Sequence, residues 1–176
     1  LALGFSFERA GEHQQAVATY HRVVELRPDH HEGRLRLALN LIRTGRPREG
    51  EVGLRGLLDA GTPTWVATLA AQELVRLLVA EERLEGAGEA ARAALLRTPD
   101  DQRQWILLAA ILHRQGRRPE ALDALRALPA ASRGVAPRAR YAEWPDLGAA
   151  ASWSRLSERA RGAEARLAAA LVEIGR

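Results

Sequence analysis

Apolar residues along the first 129 positions recur at spacings of three and four, and the pattern restarts after short polar breaks. In HRQGRRPEALDALRALP, residues 113–129, an apolar run stops at Gly116, pauses, and resumes on a new face. IRTGRPREGEVGLRGLL, residues 42–58, does the same. Spacing of this kind predicts amphipathic helices. Gly11, Gly45 and Gly116 stand where a left-handed residue ends a helix without a Cβ clash. Pro47 and Pro119 follow in the first turn of the next helix, where a missing N–H costs little. Pro28 and Pro99 close two of the units, since the residue before a proline is driven out of the α region. Pro63 and Pro129 stand near the equivalent place in the others.

The breaks have a period. Leu3, Phe7, Gly11, Ala16, Tyr20 and Val23 are followed 34 residues later by Leu37, Leu41, Gly45, Gly50, Leu54 and Leu57. The third copy is shifted by three extra residues: Leu74, Leu78, Glu82, Ala87, Ala91 and Ala94. The fourth, 34 residues on, is Leu108, Leu112, Gly116, Ala121, Leu125 and Leu128. The small residue at 16, 50, 87 and 121 lets two helices approach, and the residue four on fills the groove beside it. Four helical hairpins follow, at about 1–29, 30–63, 68–101 and 102–129. A single hairpin cannot bury its apolar face, so stacking on neighbours has to complete the core. The fold class expected is all-α, an α-solenoid of stacked helix-turn-helix hairpins. The third unit departs twice from the pattern. Glu82 replaces the turn glycine, and Thr62-Pro63-Thr64-Trp65 is inserted before it, which predicts a distorted junction with Trp65 packed over it.

This pattern resembles the tetratricopeptide repeat family. Leu3-Gly4, Phe7, Ala16, Tyr20 and Pro28 carry the resemblance in the first copy. Trp105, Leu108-Ala109, Leu112, Gly116, Ala121 and Leu125 carry it in the fourth. The resemblance implies a concave groove, lined by the first helix of each hairpin, that holds an extended peptide or a helix of a partner protein. The positions it implies for that groove are Phe5, Glu8, Arg9, Leu35, Leu39, Ile42, Arg43, Gln72, Arg76, Val79, Arg103, Ile106, Ala110, His113 and Arg114. Leu35, Leu39, Arg43, Gln72, Arg76, Arg103, Ile106, Ala110 and His113 form the central set. An apolar floor stepped with arginine suits a segment with apolar anchors and an acidic group. The competing reading makes Leu35, Leu39 and Ile106 interior packing and the arginines solvated charges. One subset of the family grips a terminal carboxylate with Lys and Asn; this chain has no Lys and one Asn, Asn40, which argues against that subset.

Residues 130–146, AASRGVAPRARYAEWPD, show no period and read as a connecting segment. Beyond them Ala149, Trp153, Leu156, Ala160, Ala163, Leu167, Ala170 and Ile174 form one narrow apolar seam, which predicts a helix over 147–176. The seam is expected to cap the last hairpin; pairing with a second copy to form a homodimer is the other reading.

Composition narrows the picture further. The chain has 176 residues, 47% of them hydrophobic and 27% charged, with no Cys and no Met. Disulfides, thiolate metal sites and a Cys nucleophile are excluded. No apolar run is long enough to span a bilayer, and no basic-then-apolar leader is present. A start at Leu1 without any Met reads as a piece of a longer chain. All 26 basic residues are Arg, a bias that points to a GC-rich, bacterial genome. The net charge of +4 is concentrated C-terminally: residues 102–176 hold thirteen Arg against seven acids. A charge of this size, without interleaved aromatics, disfavours nucleic acid as the partner.

Chemistry-bearing motifs are missing. His30-His31, beside Asp29 and Glu32, has no second set of ligands in sequence. Glu81-Glu82 and Asp100-Asp101 are adjacent pairs, whose side chains diverge on a helix. No phosphate loop, HExxH or GxSxG occurs. The reading is a non-catalytic protein–protein interaction scaffold without cofactor or metal. The alternative is a substrate-recruiting arm of a larger enzyme, such as a transferase, with its catalytic domain elsewhere.

Overall fold

The computed structural model describes residues 1–127, and the connecting segment and C-terminal helix expected over 130–176 lie outside them. Eight α-helices and no strand occur among the described residues. They are α1 (Ala2–Arg9), α2 (His13–Leu26), α3 (His31–Arg43), α4 (Pro47–Arg55), α5 (Thr64–Ala80), α6 (Leu84–Arg97), α7 (Gln102–Arg114) and α8 (Arg118–Arg126). They divide into two compact units, Leu1–Leu74 and, among the described residues, 75–127, with the boundary inside α5.

The turns follow from single residues. Gly11, Gly45 and Gly116 have φ of 76°, 82° and 77°, a region where a Cβ is strained. Each first helix therefore ends there, and the N–H of the next residue bonds back to it: Glu12 to Phe7, Arg46 to Leu41, Arg117 to Leu112. Glu82 takes the same conformation at φ 60° with a full side chain, and Arg83 bonds back to Leu78 as the others do. An arginine precedes three of the four second helices: Arg46 before α4, Arg83 before α6 and Arg117 before α8. Arg46 and Arg117 each hold a glutamate three residues on, Glu49 and Glu120, by two hydrogen bonds of 2.6–2.7 Å. These pairs span the first turn, where a carboxylate also meets the positive helix end. His30 caps α3, its Nδ1 accepting the Gly33 N–H at 3.0 Å, so its role is structural.

In the first unit α1 packs on α2, α2 on α3, and α3 on α4. Its core centres on Ala16, Tyr20, Leu35, Ala38, Ile42, Leu54 and Leu57. Gly50 is the closest crossing: a Cβ there would overlap Ile42 Cγ1 and stand 2.8 Å from the Ala38 carbonyl oxygen. In the second unit α6 packs on α7 and α7 on α8, around Ala87, Ala91, Leu107, Leu108, Ile111 and Ala121.

The insertion before the third hairpin lengthens a helix. α5 runs for 17 residues against 13 in α3 and α7, and the added turn at its N-terminus carries Trp65. Trp65 is 53% exposed, which corrects the expectation that it packs over the junction.

Candidate interaction site

The first unit gathers polar side chains from three helices around one carboxylate. Glu8, near the end of α1, accepts hydrogen bonds from Tyr20 Oη at 3.1 Å, from Arg36 Nη1 at 3.3 Å and from Asn40 Nδ2. Arg43 Nη1 stands 3.7 Å from its other oxygen. Asn40 is fully buried in α3 and has every polar atom used. Its Nδ2 also donates to the Arg36 carbonyl at 2.8 Å, and its Oδ1 faces His13 Nδ1 at 3.0 Å. An amide oxygen only accepts, so the proton of that last bond sits on His13 Nδ1. Burial, and then the negative charge of Glu8, push the Tyr20 hydroxyl well above the usual phenol range.

Helical geometry decides which of these groups face outward. Ala38 and Ile42 are the α3 residues against α4, as their closeness to Gly50 and Gly53 shows. At 100° per residue, Arg36, Asn40 and Arg43 lie on the other side of α3, and Leu39 lies on the flank between the two sides. Arg36 there lies flat above the Phe5 ring of α1, its guanidinium carbon 4.3 Å from the centroid. Phe5 in turn meets Tyr20 edge-on at 6.4 Å. Phe5, Arg36 and Leu39 are all half-buried.

The expected groove residues divide by burial. In the first unit Leu35 is 2% exposed and Ile42 likewise buried, so both pack the interior. Leu39 and Gln72 are half-buried, and Arg43 is drawn in against Glu8. In the second unit Ile106, Ala110 and Val79 are buried, again as interior packing, while Arg76 and His113 are half-buried. Arg114 donates to Glu82 at 2.5 Å, and Arg103 falls in the first turn of α7. Arg36, Asn40 and Tyr20 are absent from the sequence-based set. Their signal was available as a polar stripe, Arg36, Asn40, Arg43, at helical spacing on an otherwise apolar helix.

Among the described residues no group of three His, Asp or Glu side chains is placed to hold a metal ion. No described helix is long and apolar enough to cross a membrane.

A tetratricopeptide repeat model matches residues 1–30. No curated protein matches the sequence. Among solved structures, a crystal structure of MamA is similar over 98% of this chain and 96% of that one, with 16% identity and a TM-score of 0.63. A second crystal structure of the MamA protein is similar over 95% and 87%, with 16% identity and a TM-score of 0.60. At that identity the likeness speaks for the fold. The chain thus carries a match to a tetratricopeptide repeat over its first hairpin, and its all-α fold of helical hairpins is similar to that of MamA.

Proposed function

We propose that this chain is a non-catalytic scaffold that holds a segment of another polypeptide, and that the first unit presents the binding face on α1 and α3. One observation carries the reading. Arg36 and Leu39, neighbours on one flank of α3, stay half-buried beside a half-buried Phe5 from α1, while Ala38 and Ile42 close against α4 and Asn40 closes against Glu8 and His13. Partly exposed apolar and arginine groups on a rigid helical surface are the composition that interface centres favour. The polar cluster beneath them fixes their positions without offering chemistry of its own. Glu8 is occupied by three hydrogen-bond donors and the nearby charge of Arg43, and His13 is tied through Nδ1 to Asn40. An acid–base role for either is disfavoured on geometry.

The test is co-purification from the host with the intact chain, Leu39→Arg and Gln72→Arg, folding being checked by circular dichroism. Both positions are half-buried. Loss of the same partner bands from the folded Leu39→Arg variant supports the reading. Equal recovery from all three proteins overturns it.

A further inference from the structure

We infer, resting on the binding face just described, that Arg36 reads a side-chain carboxylate, Asp or Glu, of the bound segment, and that Phe5 and Leu39 seat an apolar residue beside it. The guanidinium has five N–H donors. It makes one hydrogen bond, 3.3 Å long, to a carboxylate it shares with Asn40, Tyr20 and Arg43. Its second acidic neighbour, Glu32, stands at 3.8 Å, beyond hydrogen-bond distance. The Arg36 side chain is nevertheless one-third exposed, at 33%. Nε is buried, so a ligand meets the terminal Nη groups, and an arginine held flat on an aromatic ring is pre-organised to present them to an anion, because little side-chain freedom is left to lose on binding.

The neighbours select the rest of the ligand. Leu39 follows Arg36 by three residues and so shares its face of α3. Phe5 occupies the position 34 residues before Leu39 and lies under the Arg36 guanidinium. Two half-buried apolar groups flanking a cation match an acid with an apolar residue one helical turn or a few extended residues away. Arg43 does not serve this role, because it leans on Glu8 with only 17% of its side chain exposed. A chain-terminal carboxylate is set aside as well. Asn40, the chain's one asparagine, is 0% exposed and spends its amide inside the cluster, so it is closed to a ligand.

The test is a selection of displayed peptides without free C-termini on the intact chain. C-terminally amidated synthetic copies of the enriched sequences are then measured by fluorescence anisotropy. Enriched peptides should share Asp or Glu within four residues of Leu, Ile or Phe. Replacing that acid by its amide should weaken binding roughly tenfold or more, as for a charged hydrogen bond. Arg36→Gln should bind the acid and amide peptides about equally, while Leu39→Ser should weaken both and keep the preference. That split separates reading of the charge from support of the fold. Enriched peptides without an acid, or an acid preference that survives Arg36→Gln, overturn the inference and leave the scaffold reading standing. Absence of any enriched peptide overturns both.

Discussion

Each unit buries one side-chain amide completely, and the two are treated in opposite ways. Asn40 in the first unit is 0% exposed, and its amide bonds to Glu8, His13 and the Arg36 carbonyl. Gln104 in the second unit is also 0% exposed, and neither its Nε2 nor its Oε1 has a hydrogen-bond partner. A buried amide with donors and acceptor all paired favours one packing, whereas an orphaned amide costs the desolvation of its donors and acceptor. The first unit therefore holds α1, α2 and α3 in register with directional bonds. The second relies on apolar packing around α7 and leaves its buried amide unpaired, whereas the first pairs its amide and leaves His13 Nε2 without a partner.

Breaking the bonds around Asn40 should have the largest effect. Asn40→Leu strands Glu8, His13 and a backbone carbonyl, and should destabilise the chain by roughly 2–4 kcal/mol. Urea unfolding, read with hydrogen exchange on α1 and α2, checks this, and the exchange should accelerate there before it does in α7. A loss below about 1 kcal/mol would mean the cluster is solvated rather than structural. Combining it with His13→Leu should cost less than the two single losses together, because each removes a partner of the other. The orphaned amide should respond with the opposite sign. Gln104→Met keeps the shape and removes the unpaired groups, so the melting point should rise, by a stability gain of roughly 1–2 kcal/mol.

Hairpin number, turn positions and the small residues at the crossings are legible in the sequence because each depends on one residue's intrinsic conformation or size. Gly45 must be left-handed, and Gly50 must be small, whatever surrounds them. The site is less legible. That Glu8 gathers Tyr20, Arg36, Asn40 and Arg43 depends on how three helices cross, and spacing within one helix does not encode it. The groove positions implied by the family pattern mix both cases: Leu39 stays half-open, while Leu35 and Ile106 close over because their neighbours reach them. Trp65 misleads for a simpler reason. Its large apolar ring suggests cover, but the added turn of α5 leaves it outside.

Glu82 offers a finer comparison, a non-glycine turn against three glycine turns. The left-handed conformation costs a side chain about 1–2 kcal/mol. The return is an ion pair with Arg114, half-exposed on the Glu82 side and worth roughly 0.2–1 kcal/mol. Glu82→Gly should therefore leave stability unchanged or raise it by up to about 1 kcal/mol. The gain should be larger in molar salt, where the lost pair is already screened. Marked destabilisation at both salt concentrations would show that the pair, rather than the turn, governs this hairpin.

The smallest effect concerns a device that both units share, and so serves as the control on their difference. Glu49 is held below the usual carboxylate range by its hydrogen bonds to Arg46, and Glu120 by those to Arg117. A lowered folded value means the unfolded chain takes up protons first as the solution is acidified. The stabilising contribution is then complete above the ordinary carboxylate value of about 4.3 and is lost as pH falls through the lower, folded one. Both groups lie on the surface, so the effect should be slight and should shrink further with salt. Glu49→Gln and Glu120→Gln should each flatten the acid limb of a melting-point profile by a small amount, slightly more for Glu120, which has Arg92 at 3.9 Å beside the Arg117 pair. A large excess at either site would trace part of the contrast between the units to their surfaces; two slight effects confine it to Asn40, Gln104 and the groups around them.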